Sequence, residues 1–274
     1  YPSRRGEPRN IINYMKGTNQ VPIMTESESI KNFGANAYAK PATALVILRE
    51  TILGRELFDF AFSEYARRWM FKQPSPADFF RTMEDASGMD LDWFWHGWFY
   101  TTDHVDISID KVTHYRIDTE NPDIEMPWKR GQADDEPISL TRQRNDDLYK
   151  AVEENSDLKD FYNKNDRFTV SNVDRNEFSS STKGLADWEK KLLDNKDHFT
   201  MIDFTNIGGL VMPVIFEVTY DNGKSEVFRI PAEVWRENPK KFSKLLVTDR
   251  EIESIIIDPY LETADVDLNN NFYP

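Results

Sequence analysis

The sequence predicts an α+β, multidomain protein: a helical block, then antiparallel strands interrupted by a long polar, partly helical insertion. Three observations carry this. Across the first hundred residues apolar side chains recur at spacings of three and four; after His104 they alternate; between about residues 118 and 199 neither period holds. At 274 residues the chain exceeds one modal domain and is long enough to bury a real core.

The helical block begins with Leu45, Leu48 and Ile52 on one face, then Phe58, Phe62, Tyr65 and Trp69 on the next, with Gly54 as the break between them. Ser75, Pro76 and Asp78 form a capping-box start for a third helix, which Gly88 ends. Asp90 caps a short helix over residues 91–99, where Trp93, Phe94, Trp95, Trp98 and Phe99 are too many for one face and require packing on several sides. Val105, Ile107, Ile109 and Val112 then alternate with polar residues as in a strand. In the polar stretch, residues 148–162 and 185–193 are candidate helices. Strands resume at 211–220 and 226–230, joined by Asp221, Asn222 and Gly223 as a hairpin turn, and at 244–248 and 254–257. These strands and the one near Val105 are expected to form a small antiparallel β-sandwich.

Composition excludes several classes. The net charge of −14, with acids spread along the chain, argues against a nucleic-acid partner. Seven Trp and eighteen Phe are too many core-forming side chains for a disordered protein. The absence of cysteine excludes disulfides and thiolate chemistry and leaves the compartment open. No apolar run approaches the roughly 20 residues of a membrane span. The chain opens on Tyr1 in a polar stretch, with neither an initiator Met nor a leader, and reads as an internal piece of a longer polypeptide.

One stretch carries a resemblance. Asn36, Ala37, Tyr38, Ala39, Lys40 and Pro41, then Leu45, Leu48, Gly54, Phe58, Phe62, Tyr65 and Trp69, and finally Asp78, Phe79, Phe80, Gly88 and Trp98 resemble the segment after the zinc site in gluzincin-type zinc aminopeptidases. That family contains alanyl and leucyl aminopeptidases and leukotriene hydrolase; in it Tyr-x-Lys-Gly opens a helix and a Trp ends the helical lobe. A weaker likeness to the β-sandwich of bacterial members lies in Asn206 to Gly209, Met212 to Val214, Asp258 and Pro259, and Asn269 to Asn271. The resemblance implies that residues 1–103 are the C-terminal helical lobe of a thermolysin-like catalytic domain. Residues 104–118 with 200–274 are then the sandwich, and 119–199 the insertion.

The same resemblance implies that Tyr38 is catalytic and stabilises a tetrahedral oxyanion. A phenol near pKa 10 stays protonated at neutral pH and can donate to an oxyanion. Zinc is implied for the intact protein, with its ligands outside this chain, since His-Glu-x-x-His is absent and His96, His104, His114 and His198 include no pair at i and i+4. No metal ligand and no cofactor-binding residue is therefore assigned here. The implied partners are peptide substrates and the upstream zinc-binding part of the same polypeptide, and the isolated chain is expected to be inactive. The alternative is a non-catalytic scaffold or protein-binding module derived from the aminopeptidase fold.

Pro41 departs from the family's Gly, which the first turn of a helix tolerates because the missing donor would be unpaired there. Lys40 is read as solvated or carboxylate-paired and left out of the site. His96, in the aromatic helix, and His104, at the domain junction, read as hydrogen-bonded structure, Asp90 and Asp92 as capping groups, and Trp93, Trp95 and Trp98 as core. Asp134, Asp135 and Glu136 read as a solvated loop, and Gly208, Gly209 and Gly223 as turn formers without a phosphate cradle.

Overall fold

A computed structural model describes residues 6–193 and 197–274. Tyr1 and the polar opening stretch lie outside the described residues. The chain is α+β and divides into two compact units, one of residues 1–115 with 198–274 and one of residues 116–197.

In the first unit a continuous helical run carries α1 (Lys40–Ile47) between two wider turns with i→i+5 bonding, Ala35–Ala39 and Leu48–Ile52. Pro41 does lie in the first α-helical turn, but the chain is already helical before it. The register thus changes from i+5 to i+4 beside a residue with no N–H to place. The buried stripe is Thr43, Ala44, Ile47 and Leu48, so Leu45 and Ile52 from the expected face are only partly covered. After Gly54 comes α2 (Arg55–Trp69), then α3 (Pro76–Ser87). The start of α3 is the expected capping box, with Ser75 and Asp78 exchanging side chain and backbone bonds. Gly88, at φ +68°, ends it in the left-handed region where a side chain would be strained.

The aromatic helix differs in detail. It is α4 (Asp92–Trp95), which widens at once into an i→i+5 turn, His96–Tyr100. Leu91 rather than Asp90 stands at its N-cap; Asp90 Oδ1 instead accepts the Asp92 N–H at 3.2 Å, one step too early to cap the first turn. Phe94, Trp95, Trp98 and Phe99 are all buried, as a helix packed on several sides requires.

Two antiparallel sheets follow. One has the order β1 (Ile107–Tyr115), β2 (His198–Asn206), β5 (Lys241–Thr248); the other β4 (Ser225–Ile230), β3 (Val214–Tyr220), β6 (Ile252–Ile257), β7 (Phe272–Tyr273). The hairpin of β3 and β4 turns through Asp221 to Gly223 in register Val214↔Ile230 to Thr219↔Ser225. Sequence reasoning omits the two-residue β7 and, more consequentially, β2, the centre of its sheet, paired from Ile107↔Asn206 to Tyr115↔Phe199 on one side and with β5 on the other. The alternation of β2 is regular, with Thr200, Ile202 and Phe204 inward, but Asp203 and two threonines dilute the apolar signal.

Helices and sheets of this unit share one hydrophobic cluster, in which Ile47, Met83, Leu91 and Trp98 join Phe204, Phe216, Val218 and Ile255. The rings of Phe204 and Phe216 lie 5.3 Å apart and link the sheets. Where the helical block passes into β1, the backbone is laced tightly: His104 N–H donates to Gly208 O at 3.1 Å, and Leu210 N–H to His104 O at 3.2 Å. A Cβ on Gly208 would stand 2.2 Å from His104 O, so only glycine fits.

The second unit contains α5 (Pro122–Asp134), α6 (Leu140–Asp146), α7 (Asn172–Thr182) and α8 (Asp187–Leu193). The expected helix over 148–162 is instead three short turns, Ala151–Glu154, Ser156–Leu158 and Phe161–Lys164. Asn155 and Asp160 each cap the turn that follows, which interrupts a longer helix.

Candidate functional site

Tyr38 sits in the Ala35–Ala39 turn and leaves 64% of its surface open to solvent. Its ring makes a T-shaped contact with Phe33, the centroids 5.6 Å apart and the planes at 74°. The side chains two residues to either side point the other way. Asn36 is fully buried and its Nδ2 donates to Val21 O at 2.7 Å, with longer contacts to Pro22 O and Tyr14 Oη.

Lys40 corrects the sequence reading. It is 0% exposed, neither solvated nor closely paired with a carboxylate, and its Nζ donates to Thr101 O at 3.3 Å. Burial pulls its pKa down to about 8, against the attraction of Asp103, which acts to raise it. Thr101 is itself fixed: its Oγ1 donates to Gly97 O and accepts the Asp103 N–H. A signal for this burial exists in the sequence, since positions 36, 40, 44 and 47 follow the helical period and end on the apolar stripe.

The histidines do not converge. His114 Nδ1 lies 3.0 Å from Thr200 Oγ1 and its Nε2 is 3.5 Å from Tyr273 Oη, a structural role across β1, β2 and β7. His104 contributes backbone bonds at the junction, and His198 opens β2. His96 lines a cavity of about 450 Å³ with Arg81, Glu84, Asp92 and Tyr100.

Near that cavity Glu84, Asp90 and Asp92 bring carboxylate oxygens within 4.8 Å of one another. Burial raises the Glu84 pKa, its hydrogen bond from the Leu91 N–H at 3.1 Å opposes this, and Asp92 and Asp90 push it further up. This all-oxygen set does not fit zinc in a peptidase, which takes histidine nitrogen alongside a carboxylate. Asp134, Asp135 and Glu136 lie at the end of α5 and beyond, and Gly209 and Gly223 adopt positive φ in turns.

Residues 7–98 match the model of the Peptidase family M1 domain. The match covers α1 to α4 and the turn carrying Tyr38, and leaves both sheets and the second unit outside it. No curated protein matches the chain.

Proposed function

We propose, from the match of residues 7–98 to the Peptidase family M1 domain, that the chain belongs to that family and is the downstream part of a zinc-dependent aminopeptidase in which Tyr38 stabilises the oxyanion. The observation that carries this reading is an exposed phenol on a wide helical turn whose opposite side is buried and hydrogen-bonded, within the stretch the family model matches. As the carbonyl carbon of a peptide's first residue becomes tetrahedral, its oxygen gains charge, and the phenol O–H donates to it. A donor held in place before the reaction costs no reorganisation when the charge develops.

Zinc would supply the activation of water in such a reaction, and its histidine-containing donor set has no counterpart among the described residues. In this reading the helical lobe, residues 1–103, walls the cleft; 104–118 with 200–274 form a β-sandwich that braces it; 119–199 is an insertion; and the chain alone is inactive. Peptides and the zinc-binding part of the same polypeptide are its partners.

The test is Tyr38→Phe in the intact protein, read as hydrolysis of an aminoacyl chromogenic substrate beside the melting temperature. Loss of the donor is expected to lower kcat roughly 100- to 1000-fold with the melting temperature nearly unchanged. Unchanged turnover, or an equal loss of activity and stability, would sink the oxyanion role and favour a non-catalytic scaffold.

A further inference from the structure

We propose that Asn36 and Lys40 are positioning residues that set the direction of the Tyr38 side chain by clamping the buried side of its turn. The proposal rests on the reading of Tyr38 given above and extends it to two side chains that touch no reacting atom.

Both residues are fully buried polar groups in a helix whose neighbouring buried positions are small or apolar. They flank Tyr38 symmetrically, at two residues before and two after. Each reaches a backbone carbonyl distant in sequence: Asn36 finds Val21 O, and Lys40 finds Thr101 O. Those acceptors are tied down in turn. Gln20 Nε2 joins Met15 O to Thr102 O, and the Met24 N–H donates to Phe99 O, so the segments before and after the helices are laced together beneath the turn.

The turn itself shows why a clamp is needed. An i→i+5 turn holds one residue more than the α-helix it interrupts, and such turns gather at functional sites. If Ala35–Ala39 relaxed to α-helical bonding, the register would slip by one residue and Tyr38 would swing by about 100° around the axis. A buried ammonium and a buried amide on the far side resist that slip, because either one torn from its carbonyl would be stranded without water. Apolar side chains in the same places would fill the space without specifying the rotation.

The experiment uses the chain labelled with 3-fluorotyrosine and read by fluorine NMR. Eleven tyrosines give the signals, and the Tyr38 line is assigned by its loss in Tyr38→Phe. Lys40→Met keeps the bulk and removes the charge and the hydrogen bond; Asp103→Asn, at an exposed residue, removes the charge that attracts Lys40. Both are expected to shift the Tyr38 line in the same direction, Lys40→Met more, with the lines of tyrosines outside the helical block in place. A Tyr38 line unmoved in both variants overturns the proposal. So does a general collapse of the spectrum in Lys40→Met with no Tyr38 shift in Asp103→Asn, which would make Lys40 a stability residue only. Turnover unchanged in Tyr38→Phe would defeat the oxyanion reading and leave a shift of the Tyr38 line standing.

Discussion

The first unit buries Trp98, Phe94, Phe204 and Phe216 completely and surrounds them with a continuous aliphatic cluster. Among the described residues of 116–197, by contrast, only Thr119, Pro122 and Glu125 are buried, and Tyr149, Phe161, Tyr162 and Trp188 face solvent. The second unit relies on caps and charge. Ser139, Asp160 and Ser171 cap its turns and helices, and Arg175 with Asp123 and Arg130 with Asp166 bridge elements far apart in sequence at 2.7 Å. Exposed pairs of this kind contribute about 0–1 kcal/mol each, whereas a fully buried large side chain contributes several times that. One unit is therefore fixed by exclusion of water, the other by caps and exposed ion pairs that water can replace.

The sharpest test sets two tryptophans against each other. Trp98→Ala opens a cavity in a core that cannot collapse around it and is expected to cost about 3–5 kcal/mol, read as a fall in the midpoint of urea unfolding. Trp188→Ala, in the second unit, is expected to change stability by less than about 0.5 kcal/mol. Similar losses at the two positions would erase the distinction.

The first unit also hides charge, which gives it a pH dependence. Asp265 is buried and its carboxylate accepts the N–H groups of Ile107 and Asp267. Burial raises its pKa to about 7, those N–H groups act in the opposite direction, and Asp106 and Asp258 push it further up. A carboxyl whose folded pKa lies above its unfolded value holds its proton more tightly when folded. Its stabilising contribution is present below the unfolded value near 4 and is lost as pH rises to about 7. Asp265→Asn removes the titration, so the stability of wild type minus variant should fall by on the order of 3–4 kcal/mol across that window. Paired urea titrations at pH 4 and 7.5 measure it, and a difference that stays flat would show that the folded carboxyl is not perturbed.

The same contrast explains what the sequence discloses. Elements fixed by local chemistry are legible: the Ser75 capping box, the Gly88 terminus and the Asn222 and Gly223 hairpin turn all form where residue type requires. The resemblance to the peptidase family is legible because the residues that carry it lie in one stretch, within the 7–98 that the family model matches. What tertiary structure decides is not. Lys40 looks solvated until the Thr101 carbonyl, 61 residues away, arrives to receive it. Strand β2 is weak in isolation and secure between two neighbours, and in residues 148–162 a helical pattern loses to Asn155 and Asp160, whose side chains cap shorter turns.

The second unit has one exception to its openness, and it supplies the smallest test. The Glu125 carboxylate is buried, receives both its short contacts from Arg116 Nη2 at 2.7 Å, and accepts the Thr119 N–H and Oγ1–H at 3.0 and 2.9 Å. Arg116 also stacks over the Trp128 ring at 4.1 Å, so one carboxylate organises the chain entering α5 and a turn of α5 itself. Glu125→Gln keeps the shape but replaces one acceptor oxygen with a donor facing the same N–H groups. The expected cost is about 1–3 kcal/mol, confined to the unit: amide hydrogen exchange should quicken in residues 117–134, while the amides of β2 and β3 keep their protection. Faster exchange in β2 and β3 to the same degree would mean that the two units unfold together and that the contrast in their interiors has no thermodynamic consequence.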